Sequence, residues 1–449
     1  MAPARKQKIV VVGGGAGGAA AAAKARRMFA DARITILDKS AHVAFGACEL
    51  PMYLAGHMSA IDDLQLFSAA ELAKVKDVDV LTGATVVEVT TAGKFVTYVK
   101  DGNREKLPYD KLIWAAGALA RRPEWLPVSL DNAFAFKQPE EVEQLVQQIR
   151  SRKGQNCIVL GTGYVGLEVA SALHESGRSV ALVNRGAWPL PGYGKLVRHF
   201  LPDFLQQQGV LYYPNAEVAG IRENNNRFQA LRLKQQTLTA DYLMTAIGVR
   251  PNTLVLKQAG LQINADETVV TDRYLKTSHN DILAIGDAIQ SFAFPNGKRC
   301  YFPLAQTAYR SGHIAAENLF RPTRKMPDSL GTAGLHVFGI DIAKTGQTEI
   351  KATDEMSLFL RTTNQPSIVP GAQPIFWEVI VHRFSGRILG ASLWGGKGAA
   401  AKINVLSMAI RNQMTTKDLA ECDYLYSPPF APMADGFLHL HTIYEKQRG

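Results

Sequence analysis

The sequence predicts an α/β fold with two Rossmann-like domains and a C-terminal α+β domain, on three observations. Gly13-Gly14-Gly15-Ala16-Gly17-Gly18 directly follows the β-branched run Lys8–Val12. Gly161-Thr162-Gly163-Tyr164-Val165-Gly166 follows Cys157–Leu160 in the same way. From about Gly331 the pattern changes, with no further glycine turn of this kind.

Element by element, Lys8–Val12 is a strand, Ala19–Phe29 a helix and Arg33–Leu37 a second strand ending at Asp38, which makes a βαβ unit. The order recurs with Cys157–Leu160, the helix Leu167–Glu175 and the strand Ser179–Val183. Between the units, Val86–Val89 and Lys94–Val99 read as strands of a small antiparallel insertion. Leu112–Gly117, Tyr242–Gly248 and Ile282–Asp287 are apolar runs that end in tight turns. In the tail, Ile375–Phe384 and Ile388–Trp394 are strands around Ser385-Gly386, followed by an amphipathic helix over Ala401–Gln413.

The glycine turns carry the first chemistry. Gly13 permits a sharp turn, Gly15 lets backbone N–H groups approach a pyrophosphate, and Gly18 lets helix and strand pack closely. Asp38, with Lys39 after it, closes the next strand about 20 residues on, where an acid accepts hydrogen bonds from a ribose diol. In the second turn Gly161, Gly163 and Gly166 repeat the logic, but the strand ends in Asn184-Arg185. A neutral residue followed by arginine accommodates a 2′-phosphate that a carboxylate would repel, which favours NADPH over NADH. Arg185 as a solvated loop charge is the bland alternative. Glu168 either faces a nicotinamide or merely favours its helix N-terminus.

Cys48, in Ala44-Phe45-Gly46-Ala47-Cys48-Glu49-Leu50-Pro51-Met52-Tyr53, is either a small buried hydrophobe or a redox thiol. Its neighbours do not describe a core helix, and two nucleotide units in one chain favour the thiol. Tyr53 stands where a partner cysteine would be expected. Cys157 begins a core strand and reads as packing, Cys300 and Cys422 have no assigned role, and no spacing suggests a metal site. Nothing orients His439 or His441 as a general base.

Composition limits the partners. The 449 residues carry 47% apolar and 20% charged side chains, an ordinary globular balance. A net charge of +10 comes from scattered basic residues with only short clusters such as Arg26-Arg27 and Arg121-Arg122. That pattern suits phosphorylated small molecules, or simply a basic surface, and not nucleic acid. Four cysteines make no disulfide framework, so a reducing compartment and a cytoplasmic protein without membrane partner are expected.

Together these residues resemble the pyridine nucleotide-disulfide oxidoreductase family, and within it the single-cysteine branch of coenzyme A-disulfide reductases, NADH oxidases and peroxidases, and persulfide reductases. Further matches are Ala116-Gly117, Gly248-Val249-Arg250-Pro251-Asn252, Ala284-Ile285-Gly286-Asp287 and Tyr426-Ser427-Pro428-Pro429-Phe430. The resemblance implies FAD in the first unit with Asp287 on its ribityl chain, and NADPH (or NADH) in the second. It implies a homodimer in which Tyr426 reaches the partner's cysteine, and domains at 1–125 and 266–328 (FAD), 126–265 (NAD(P)H) and 329–449 (dimerisation). Lys24, Arg27, Phe45 and Arg310 resemble residues that hold the coenzyme A of a thiol or disulfide substrate. Oxidases and peroxidases of the branch carry a histidine in the first glycine loop, where this chain has Ala16. The expected activity is therefore NAD(P)H-dependent reduction of a small disulfide or persulfide through a Cys48 mixed disulfide. A peroxidase or oxidase using a Cys48 sulfenate, and a non-enzymatic flavin redox sensor, are the alternatives. Glu49 places a carboxylate beside the thiol, a feature that works against thiolate formation.

Overall fold

The computed structural model describes residues 6–151 and 154–448. The chain divides into two compact units, one of residues 1–121, 135–151 and 248–328, the other of residues 122–134, 152–247 and 329–449.

The first unit is built on a parallel sheet whose strands lie in the order Ile282–Ala284, Lys111–Trp114, Lys8–Val12, Arg33–Leu37 and Asp79–Leu81. Ile9, Val10, Val11, Ile34 and Ile36 are almost wholly buried. Continuous β-branched runs of this kind suit strands covered on both faces. The first helix spans Ala16–Met28, three residues earlier than its apolar periodicity implies. Gly17 and Gly18 therefore lie inside it, against their poor helix propensity. Close approach explains both: a Cβ on Gly18 would lie 1.8 Å from the Gly13 carbonyl oxygen, and one on Gly17 3.0 Å from that of Ala308. Ala308 belongs to the helix Ala305–Asn318, which packs along the first. The predicted insertion is present and gains a third strand, Asn103–Pro108, beside Thr85–Thr90 and Phe95–Lys100.

The second unit contains a parallel array in the order Leu211–Tyr213, Ser179–Val183, Asn156–Leu160 and Tyr242–Thr245. Its glycine helix runs Tyr164–Glu175, again three residues ahead of the sequence expectation. Residues from Ser329 belong to the same unit. They form an antiparallel sheet in the order Ala333–Val337, Ile340–Gly346, Ile388–Gly395, Pro374–His382 and Glu355–Thr363, with helices Ala399–Arg411, Thr416–Ala420 and Gly436–Arg448. The α+β tail is thus as expected, with three strands more than the sequence revealed. Glu378 joins this sheet to the nucleotide fold: its carboxylate, 6% exposed, accepts the Leu196 N–H at 3.1 Å at the start of the helix Lys195–Gln207.

Candidate active site

In the first unit the glycine turn, the strand-end acid and the cysteine segment meet at Gly14. The Gly14 N–H donates to Asp38 Oδ2 at 2.6 Å, and its carbonyl accepts the Ala44 N–H at 2.8 Å. Asp38 Oδ1 accepts from Ser40 N at 2.8 Å. Burial raises the Asp38 pKa, opposed by these backbone donors and by Lys39, which is exposed. Asp38 therefore shapes the turn, a role the sequence did not reveal.

Ala44 holds a left-handed backbone, φ 48°, which is strained for a residue with a Cβ. Two contacts hold the segment in that conformation: Leu66 N donates to Ala44 O at 3.1 Å and Gly46 N to Leu64 O at 2.9 Å. Half-buried Phe45 stacks obliquely on His42, with centroids 5.4 Å apart. His42 is itself held by Asp62 at 3.2 Å. Cys48 then lies exposed in the short turn Ala47–Glu49, immediately before the helix Leu50–Ala55. Tyr53 is buried in that helix. The Glu49 carboxylate folds back over Gly46, filling the place of a side chain there: a Cβ on Gly46 would lie 2.2 Å from Glu49 Oε2.

The residues present fit a dinucleotide. A Cβ on Gly15 would meet nothing within 4 Å, so the helix N-terminus is open at that point, and it has no side-chain cap and no acid in its first turn. Such an end is suited to an anion. Asp287, in the turn Gly286–Ala288, is raised in pKa by burial, and Lys137 Nζ lies 3.9 Å from its Oδ2. A half-buried carboxyl with its counter-ion at that distance suits hydroxyl donors. Gly117, with φ +63°, follows the strand Lys111–Trp114, and its carbonyl accepts Asn252 N at 2.9 Å, while Ala116 O accepts Asn252 Nδ2 at 3.4 Å. Gly248, φ +100°, opens the segment that carries Asn252.

Of the predicted substrate residues, Lys24 is ion-paired with Glu317 at 3.2 Å, while Arg27 and Arg310 are exposed. His313, which sequence reasoning missed, joins this group. Burial lowers its pKa first, and Arg27 and Lys24 lower it further. Arg26 is different: it caps its helix by donating to the carbonyls of Ala30, Ala32 and Asp77.

In the second unit, Gly161, φ +106°, makes the turn, Gly163 is open, and a Cβ on Gly166 would lie 2.1 Å from the Gly161 carbonyl oxygen. Thr162 Oγ1 is buried without a hydrogen-bond partner, an orphaned group within the second glycine turn. Glu168 is raised from 4.5 to about 7 by burial. Asn184 donates through Nδ2 to the Gly186 and Trp188 carbonyls at 2.9 and 3.0 Å, and so folds its loop, while Arg185 is exposed. Tyr426 lies exposed between Thr416–Ala420 and Gly436–Arg448, as do Leu425, Phe430 and Met433. Cys157 is buried and its thiol pushed up to about 12, in keeping with packing.

Residues 7–312 match the pyridine nucleotide-disulphide oxidoreductase domain, and residues 332–435 match that family's dimerisation domain. The chain belongs to the pyridine nucleotide-disulphide oxidoreductase family. Members of this family use FAD and NAD(P)H. Among its relatives, an NAD(P)H coenzyme A polysulfide/persulfide reductase of Pyrococcus horikoshii is 27% identical over 99% of both chains. A coenzyme A disulfide reductase of Staphylococcus epidermidis is 26% identical over 91% of this chain and 93% of the relative. The solved structure of an NAD-dependent persulfide reductase from A. fulgidus superimposes with a TM-score of 0.92 at 27% identity, covering 98% of this chain and 83% of the other. Among the described residues no helix is long and apolar enough to cross a membrane, and no group of side chains could hold a metal ion.

Proposed function

We propose that this chain is a homodimeric, FAD-dependent NAD(P)H reductase of a small disulfide or persulfide, with Cys48 as its single redox residue. The observation that carries this reading is the fastening at Gly14, which ties the exposed Cys48 segment to the turn fitted for FAD. Bound FAD supplies two-electron transfer from the nicotinamide nucleotide to sulfur. Gly13, Gly15 and Gly18 would hold its pyrophosphate, Asp38 its ribose and Asp287 its ribityl hydroxyls. Gly161, Gly163 and Gly166 would hold the nucleotide, with Asn184-Arg185 favouring NADPH and Glu168 facing the nicotinamide side.

The Cys48 thiolate attacks one sulfur of the substrate, the substrate S–S bond breaks and a Cys48–S–S–R mixed disulfide forms. The departing thiolate takes a proton from Tyr426 of the partner subunit. Two electrons then cleave the mixed disulfide, returning the Cys48 thiolate and releasing the second thiol, with solvent protons going to that thiol and to Tyr426. The exposed Leu425, Phe430 and Met433 beside Tyr426 are the surface a second copy would cover. Lys24, Arg27, Arg310 and His313 offer phosphate contacts to a coenzyme A thiol. Ala16 argues against the sulfenate alternative because it offers no proton donor in the glycine turn.

Cys48→Ser is expected to retain FAD and lose disulfide-dependent NADPH oxidation in a stopped assay. Turnover at the unsubstituted rate would overturn the assignment.

A further inference from the structure

Glu49, next to the redox thiol, has no part in the reaction proposed above. Its backbone N–H donates to the Gly46 carbonyl at 3.1 Å in the turn Ala47–Glu49, and its side chain runs back over Gly46. A Cβ on Gly46 would lie 2.2 Å from Glu49 Oε2 and 2.8 Å from its Cδ, so the missing side chain at 46 makes room for the carboxylate. Residues 46 and 49 flank Cys48, which puts this negative charge on the same exposed turn as the thiol. Among the described residues no cation forms a salt bridge with it. The surroundings add to the charge. From Ser40 to Ala73 the chain has no lysine or arginine but four acids, Glu49, Asp62, Asp63 and Glu71, although its net charge is +10. Asp62 and Asp63 are exposed in the turn Ile61–Leu64, which the Gly46 N–H fastens to the cysteine segment through Leu64 O. Of the bases nearby, His42 pairs with Asp62 at 3.2 Å and Arg150 lies 5.5 Å over the Tyr53 ring. Lys24, Arg27 and Arg310 stand on other elements, the helices Ala16–Met28 and Ala305–Asn318. The first unit thus carries its anion contacts on those helices and a carboxylate at the sulfur.

We propose that Glu49 is a specificity-determining residue that selects by charge at the sulfur end of the substrate. It disfavours compounds whose negative charge lies within a few atoms of the S–S bond: inorganic polysulfide, persulfide anions and disulfides of short carboxylic acids. It admits disulfides whose arms are neutral beside the sulfur and anionic only at the far end. The substrate class is then an organic disulfide with long neutral arms. This rests on the assignment of Cys48 as the attacking sulfur. Two like unit charges roughly 6 Å apart in water change a rate about threefold, and more where solvent is partly excluded. Salt weakens the effect.

The test is the kcat/KM of NADPH oxidation by the FAD-loaded enzyme with 3,3′-dithiodipropionate, which is anionic, and with bis(2-hydroxyethyl) disulfide, which is neutral. The quantity read is the ratio of the two. It cancels any effect of Glu49 on the thiolate fraction of Cys48, which both substrates share, and a purely structural role would move both alike. Glu49→Gln, which keeps the shape over Gly46 and removes the charge, is expected to raise the anionic-to-neutral ratio about threefold or more. Inorganic polysulfide measured against the neutral disulfide is expected to gain in the same way. The gap between the variant and the unsubstituted enzyme is expected to close when the salt is raised to about 0.5 M. Turnover that is lost in Cys48→Ser, together with an unchanged ratio in Glu49→Gln, would overturn the role of Glu49 and leave the reaction standing. Turnover that persists in Cys48→Ser would overturn the reaction and this proposal with it.

Discussion

Asp38 and Gly14 are joined by a 2.6 Å hydrogen bond from the Gly14 N–H to Asp38 Oδ2. The same glycine accepts from Ala44 N, so the acid, the first turn and the cysteine segment share one anchoring residue. A hydrogen bond to a charged group is worth about 1.5–3 kcal/mol. Asp38→Ala is therefore expected to weaken FAD retention about tenfold or more, beyond any lost ribose contact. The ratio of flavin to protein absorbance after gel filtration measures this, and full occupancy in the variant would contradict it.

The two glycine turns can be disabled separately. A Cβ at Gly18 would lie 1.8 Å from a backbone oxygen, and one at Gly166 2.1 Å, so neither fits without moving the helix. Gly166→Ala is expected to keep FAD but reduce it with NADPH at least a hundredfold more slowly in stopped flow. Gly18→Ala is expected to yield protein without flavin. Normal flavin reduction in Gly166→Ala would remove the second turn from the nucleotide site.

Much of this was legible in the sequence, because parallel strands buried on both faces write themselves as β-branched runs and the turns between them need glycine. What escaped detection had weaker local signals. Asn103–Pro108 is a largely exposed strand, Asn-Arg-Glu-Lys-Leu-Pro, with no apolar alternation to mark it. Glu355–Thr363 does alternate, with Met356, Leu358 and Leu360 buried, but the signal is short and flanked by polar residues. The helices start three residues earlier than the apolar pattern implies because Gly17, Gly18 and Gly166 read as turn residues, while their helical place depends on tertiary contact. The glycine motifs and Cys48 stood out as residue types in order. The Asp38–Gly14 bond and the place of His313 arise from residues distant in sequence or from loop shape.

Glu168 gives a pH signature. Burial raises its folded pKa to about 7 from an ordinary 4.5, so the folded chain holds this proton more tightly than the unfolded one. Its effect is least unfavourable below pH 4.5, and stability falls as pH rises through about 7. Glu168→Gln is expected to melt above the unsubstituted protein at pH 8, by about 1–2 kcal/mol after allowing for partial exposure, and level with it at about pH 4. Equal melting at both values would contradict the burial of an unpaired carboxyl.

Lys402 Nζ and Asp435 Oδ2 form an ion pair with side chains only 14% and 7% exposed. Removing one partner of such a pair leaves a buried charge and costs about 3–5 kcal/mol. Asp435→Ala is expected to lower the urea midpoint accordingly, and Lys402→Met with Asp435→Leu to recover most of the loss. A single variant as stable as the original would show that the pair contributes nothing.

In the proposed reaction Cys48 cycles through a mixed disulfide with a small thiol. Mass spectrometry of the purified protein, denatured without reductant, tests it most directly. The expected result is a thiol adduct on the peptide containing Cys48, removed by dithiothreitol and absent from Cys48→Ser. Oxygen-only additions at Cys48, or an adduct confined to another cysteine in enzyme isolated under air and then treated with coenzyme A disulfide, would contradict it.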